Sequence, residues 1–303
     1  MPIPRRLAVI VLGMHRSGTS AIAGTAVRLG LTAPKTMLPP SADNPGGFYE
    51  SAVVAGLNQW VLHQAGCSWH DCLTFNANQL GDATRTAAAD LIQAVLREEF
   101  ADAPGFVLKD PRLCLTLPVW LPALRAAGID VAVLLAVRHP EEAIHSLSRR
   151  DQLPESAVAS LWLHYTLEAE RASRSLPRAV IAYDDLLRDW RGCLACAGQT
   201  AGIAWPSGTG FDHSDIDGFL SSSLRHHVAA NSAAAIGPPP IRGLVDMTWS
   251  GLRLLRDDPK SRFALEWLDQ ARATFAARRD VARSDRSFPV RVQHSSLAGA
   301  DPR

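Results

Sequence analysis

Along the chain, short unbroken apolar runs alternate with stretches in which apolar residues recur at helical spacing. Runs at 7–12, 105–108, 131–137 and 180–182 are β-branched and aliphatic without polar interruption, the pattern of strands buried on both faces of a parallel sheet. Between them, helical spacing predicts a helix from residue 19 until Gly30 stops it. A second helix is capped by Ser51, with Val53, Leu57, Trp60 and Val61 on one face and Gly66 beyond its end. Further helices are expected over 84–100, after Pro140, over 155–175 and 186–201 with Asp184 as cap, and over 247–256 and 261–278. Strands alternating with helices give an α/β fold, a P-loop-like sandwich of three layers with a central parallel sheet flanked by helices on both faces. Residues 31–50 are rich in proline, glycine and short polar residues and cannot continue a helix. A loop of roughly twenty residues is rare in a compact domain unless it serves a site, so it is expected to wall or cover one. A turn-rich loop at 202–211 and a proline-rich spacer at 236–241 follow. The expectation is a single domain over 1–282 and a loose polar tail over 283–303.

Composition narrows the function more than the fold. With 303 residues, 47% hydrophobic and 20% charged, the chain can bury one large core. Its formal net charge of +1 gives no general attraction to nucleic acid or membrane, so any anion must be held by locally placed arginines. Cys193 and Cys196 have C-x-x-C spacing, but no further ligands accompany them and their stretch reads as helix, so a pair of buried thiols is expected, reduced in the cytosol. His226 and His227 are adjacent and point apart on a helix, so no metal is expected there. The apolar run after Arg5 and Arg6 is too short for a signal core or a span, and a cytoplasmic protein with no membrane span is the expectation.

The chemistry concentrates at the ends of the strands. The run at 7–12 breaks into Gly13-Met14-His15-Arg16-Ser17-Gly18-Thr19-Ser20 and then a helix. Such a turn directs backbone N–H groups and the positive end of the helix dipole at one spot, which suits phosphate or sulfate. It is close to the nucleotide-triphosphate loop, but Thr19 stands where that loop has lysine, and the cation is Arg16 instead. A loop of this kind can cradle a phosphate and is poorly equipped for ATP hydrolysis. The second strand ends in Lys109-Asp110-Pro111-Arg112, where Lys109 and Arg112 would face the same crevice, or Asp110 and Arg112 would pair. The third ends in Arg138, and Ser146, eight residues on, lies two turns into the next helix, so the two can converge on a further anion. No aspartate ends that strand to hold magnesium.

These residues resemble the sulfotransferase family, whose members use 3′-phosphoadenosine 5′-phosphosulfate. Residues 13–20 look like the family's 5′-phosphosulfate loop, with arginine at the position of its lysine or arginine. Arg138 and Ser146 look like its 3′-phosphate clamp, Lys109-Asp110-Pro111 is similar to a motif in which the lysine assists catalysis, and Tyr183-Asp184-Asp185-Leu186-Leu187 is similar to a block of bacterial members. The likeness covers residues 7–190 best. It implies that Gly13, His15, Arg16, Ser17, Gly18, Thr19, Ser20, Arg138, Ser146 and, in the C-terminal third, Arg225 bind the donor. It implies Arg16 and Lys109 as catalytic cations, Glu50 as general base with Asp43 in reserve, and no metal. The expected reaction is in-line transfer of a sulfuryl group to a hydroxylated acceptor such as a carbohydrate. A P-loop kinase or nucleotide hydrolase, and a non-catalytic nucleotide-binding protein, are the alternatives.

Overall fold

The computed structural model describes residues 5–209, 214–222 and 239–284. Four parallel strands, β1 (Arg6–Leu12), β2 (Gly105–Lys109), β3 (Ile129–Val137) and β4 (Arg178–Ala182), lie in the order β2-β1-β3-β4. The alternation of side chains along each strand divides them between two cores. Ala8, Ile10, Leu12, Phe106, Leu108, Val133, Leu135 and Val137 pack on one side, with helices α2 (Ala52–Gln64), α3 (Asp82–Phe100), α4 (Leu113–Ala126), α5 (Pro140–Asp151) and α6 (Glu155–Ser173). Helices α10 (Pro239–Asp257) and α11 (Arg262–Ser284) add to that side. Val9, Val11, Val107, Ala132, Leu134, Ala136, Ala179 and Ile181 pack on the other, with α1 (Thr19–Arg28), α7 (Tyr183–Arg188), α8 (Trp190–Ala201) and α9 (Ser214–Ser222). The three-layer α/β sandwich with a parallel sheet is therefore as expected.

The order has a consequence for ligands. From β1 the chain steps outward to β2 and then returns past β1 to β3, so the crossovers diverge between β1 and β3. In open parallel sheets the crevice outside the carboxyl ends of the strands at such a point receives the ligand. The loop after β1, Lys109 at the end of β2 and Arg138 after β3 all stand at that rim.

Several elements depart from the pattern read in the sequence. In α2, Ser51 does cap the helix, its hydroxyl accepting from the N–H groups of Val53 and Val54 at 3.1 Å. The buried face, however, is Val54, Leu57, Asn58, Val61 and Leu62, while Val53 is 39% exposed. Asn58 is buried because its Oδ1 accepts from Thr116 and from the indole of Trp120, each at 2.8 Å, which locks α2 onto α4. No helix was expected at α4, whose Pro118 and Pro122 read as breakers. They are four residues apart, so they share the outward face, where water can serve the carbonyls they leave unbonded.

The stretch 186–201 is broken at Asp189, and the aspartate that caps α8 is Asp189, whose Oδ1 accepts from the Gly192 N–H at 3.0 Å, and not Asp184, which lies in the first turn of α7. Of the two α8 thiols Cys193 is half-buried and Cys196 exposed, not a buried pair. Helix α10 begins eight residues earlier than its apolar spacing suggested (247 − 239), because prolines at 239 and 240 occupy the first turn, where a missing N–H costs nothing. Arg225, His226, His227 and residues 285–303 lie outside the described residues.

Candidate active site

The loop between β1 and α1 takes a conformation that few residues allow. Arg16 has φ 69° and Gly18 φ 85°, and the Ser17 N–H turns back to the Met14 carbonyl at 3.1 Å. Non-glycine residues held in the left-handed region cost on the order of 1 kcal/mol, and Arg16 is so held between Gly13 and Gly18. A Cβ on Gly18 would run into the ring of Tyr183, and one on Gly13 would meet Thr19 at 2.8 Å and the Ala136 carbonyl at 2.9 Å. Glycine is thus required at both ends of the loop for close approach. Gly18 is also the N-cap of α1, and no side chain caps that helix, so its first N–H groups are left to whatever occupies the cleft.

The cleft over this loop has a volume of about 620 Å³. Five cations, Arg16, Lys109, Arg112, Arg138 and Arg150, line it against three carboxylates, Asp43, Glu50 and Asp151. At one end is Lys109, whose side chain is 2% exposed. Its Nζ donates to Glu50 Oε1 at 2.5 Å, to the Phe48 carbonyl at 3.0 Å and to Ser20 Oγ at 3.2 Å. A lysine buried at a strand end needs an anion, and Glu50 supplies it. The Glu50 backbone carbonyl accepts from the Leu38 N–H at 2.8 Å, which pins the residue at the end of the long loop. The loop itself is anchored through buried Glu99 of α3, which accepts from the N–H and hydroxyl of Thr36 at 3.0 and 2.7 Å.

At the other end, Arg16, Ser146 and Arg138 come together. Arg16 Nε donates to Ser146 Oγ at 2.9 Å, its Nη1 reaches Asp43 Oδ2 at 3.1 Å, and Arg138 Nη1 approaches the Arg16 carbonyl at 3.4 Å. Arg138 also pairs with Glu142 at 2.8 Å and lies over the Tyr183 ring, 4.9 Å from its centre. Asp43, the reserve base, is thus engaged with Arg16 and stands apart from the Glu50 carboxylate, which is engaged with Lys109. Arg112 does pair with Asp110, at 2.7 Å, and Asp110 is fully buried.

The loop's His15 has its ring against Trp69, 4.8 Å between centres, and its Nε2 is sequestered without a hydrogen-bond partner among the described residues. Burial and then Arg150, Arg112, Lys109 and Arg16 push its pKa well below the ordinary histidine value, so it stays neutral. Burial pushes the Tyr183 hydroxyl up to about 12. The sequence brought out residues 13–20, Lys109, Arg138, Ser146 and the block that begins at Tyr183, but not Trp69, Arg150 or the pairing of Glu142 with Arg138. Trp69 lies in the segment after α2 and leaves no local signal, whereas Arg150 lies one turn beyond Ser146 on α5 and could have been found by that spacing. Glu142 could have been found as the i+4 partner of Arg138.

No family model matches the chain, and no curated protein matches it. Among the solved structures similar to it are the following two. Both are sulfotransferase domains. One comes from the Synechococcus PCC 7002 olefin synthase; it is 16% identical, with a TM-score of 0.41 over 82% of this chain and 97% of that one. The other comes from the curacin biosynthetic pathway; it is 16% identical, with a TM-score of 0.42 over 81% of this chain and 98% of that one. Among the described residues no helix is long and apolar enough to cross a membrane.

Proposed function

We propose that the protein is a sulfotransferase that moves a sulfuryl group from 3′-phosphoadenosine 5′-phosphosulfate to a hydroxyl of a carbohydrate or other small acceptor. The observation that carries this reading is the arrangement around residues 13–20, with the Lys109–Glu50 pair at one end and Arg16, Ser146 and Arg138 at the other. A donor with a phosphosulfate and a separate 3′-phosphate needs two anion sites joined by one loop. The residues present suit it: the uncapped start of α1, a glycine where a Cβ would intrude, and an excess of cations along the cleft.

In this reading Arg138 and Ser146 hold the 3′-phosphate, and the loop N–H groups with Arg16 hold the 5′ end. Glu50 accepts the proton of the acceptor hydroxyl as its oxygen bonds to sulfur. The bond from sulfur to the leaving phosphate oxygen breaks in line. Once Glu50 is protonated, Lys109 no longer faces a carboxylate at 2.5 Å, and its ammonium is released to the oxygen on which charge develops. The pair thus passes positive charge from the base to the leaving group during the step, when it stabilises most.

Calorimetric titration with 3′,5′-phosphoadenosine, ADP and ATP tests the donor site. The expected result is binding of 3′,5′-phosphoadenosine at least about tenfold tighter than of ADP or ATP. Tighter binding of ATP would replace this reading with a kinase or hydrolase. Labelled donor offered with a panel of glycans and small alcohols then tests transfer, and binding without turnover would leave a nucleotide-binding protein only.

A further inference from the structure

The segment that carries Glu50 is anchored from outside the cleft. Tyr49, immediately before it, has φ 56°, in the left-handed region that bulky side chains rarely enter. Such a conformation persists only where its surroundings over-determine it. Phe48 and Glu50 line the cleft and Tyr49 does not, its side chain being engaged with α1 and α9. Arg28, in the last turn of α1, donates to the Tyr49 hydroxyl at 2.6 Å, and its guanidinium lies 4.0 Å from the centre of the Phe219 ring and 5.9 Å from that of Tyr49. Phe219, on α9, meets the Tyr49 ring edge-on with centres 5.8 Å apart, and Asp215 of the same helix is 3.7 Å from Arg28. Beneath this stack is Gly24, in the interior of α1, where glycine weakens a helix. A Cβ there would stand 2.5 Å from Phe219 Cζ and 2.7 Å from Tyr49 Cε2, so the two rings use the space that its absence leaves. On either side of Tyr49 the chain serves Lys109: the Phe48 carbonyl and the Glu50 carboxylate both accept from its Nζ, at 3.0 and 2.5 Å.

We propose that Tyr49 is a positioning residue: the stack of Arg28, Phe219 and Tyr49 over Gly24 holds the left-handed turn that presents Glu50 to Lys109 and to the acceptor hydroxyl. This rests on the reading of Glu50 as the general base. A base must lie within hydrogen-bond reach of the proton it takes, and a small misplacement is costly in rate. A side chain outside the cleft thus governs turnover through the carboxylate next to it.

Three variants test this. Tyr49→Ala removes the ring and leaves the backbone strained, Gly24→Ala keeps Tyr49 and pushes on the stack from beneath, and Tyr49→Phe loses only the hydroxyl. With saturating labelled donor, the first two should lower kcat by about tenfold or more while affinity for 3′,5′-phosphoadenosine stays within about twofold, and Tyr49→Phe should keep kcat within about threefold. In a Glu50→Gln background neither Tyr49→Ala nor Gly24→Ala should lower kcat further, because the group they misplace is already gone. Equal losses of kcat in the two backgrounds, or full activity of both variants, would overturn the assignment. Urea unfolding gives a reading that needs no turnover. Each substitution should raise the unfolding constant at least about fivefold less once Glu50→Gln and Lys109→Met have removed the ion pair. Equal effects with and without the pair would also overturn it, and either variant suffices for the comparison if the other does not fold. If labelled donor is never turned over, or Glu50→Gln stays active, while the coupling in urea persists, the reading of Glu50 as base falls and the positioning of the pair stands. If Glu50→Gln is inactive and the coupling is missing, the positioning falls alone.

Discussion

Glu50 and Lys109 are the residues on which chemistry and stability meet. Both are nearly buried, so removing one charge strands the other. Glu50→Gln should lower turnover by roughly 10²–10⁴ by removing the base. It should also destabilise the fold by about 3 kcal/mol, since breaking a buried pair leaves a charge unmet. Donor binding should persist. The double variant Glu50→Gln with Lys109→Met should recover much of the stability and none of the activity, which melts and assays on the same preparations check. At the opposite end, Arg138→Ala and Ser146→Ala should each weaken 3′,5′-phosphoadenosine by about ten- to hundredfold while leaving an analogue without the 3′-phosphate little changed. Equal losses for both ligands would remove the clamp.

The loop between β1 and α1 is the element whose backbone matters more than its side chains. Gly18→Ala places a Cβ at φ 85° inside the Tyr183 ring, so the loop or the ring must move. The expected cost is about 2 kcal/mol or more from the left-handed strain and the clash together, with a loss of 3′,5′-phosphoadenosine affinity that exceeds any loss in the remainder of the fold. Calorimetry beside a melt separates the two, and a fully stable, fully binding variant would show that the loop tolerates the side chain. Elements of this kind were readable in the sequence because their signals are local: strand runs, the glycine spacing, the Ser51 cap, the cations at strand ends. What the sequence did not carry is pairwise. Asn58 reads as polar surface until Thr116 and Trp120 are seen to donate to it, and nothing in the sequence joins Glu50 to Lys109, 59 residues on. The face of α2 was missed for the same reason, since burying Asn58 turns the helix away from Val53.

For the molecule as a whole, acidity is the condition to which the interior is most exposed. His164 is buried on α6, and burial, helped by Arg279 and opposed by Glu168, pushes it down to about 4. The folded protein therefore holds this histidine neutral while the unfolded chain takes up a proton near pH 6.5. Stability is full above that pH and is lost as pH falls from 6.5 toward 4, with about 2 kcal/mol gone at pH 5. His15 acts in the same direction. Urea unfolding at pH 7.5 and 5.0 measures the slope, and His164→Gln should remove its own share and leave that of His15.

The outer margin of the sheet carries a different liability. Thr32, just past α1, lays its backbone along β2, donating to the Gly105 carbonyl at 2.9 Å and accepting from the Val107 N–H at 3.0 Å. This single residue closes the hydrogen-bonding edge to which another chain could add. Thr32→Pro would remove the donor and loosen the cover, opening β2 to strand addition from a neighbour. Self-association should then rise with concentration and appear by light scattering before any change in the melt, so that a residue remote from the cleft governs whether the protein stays dispersed.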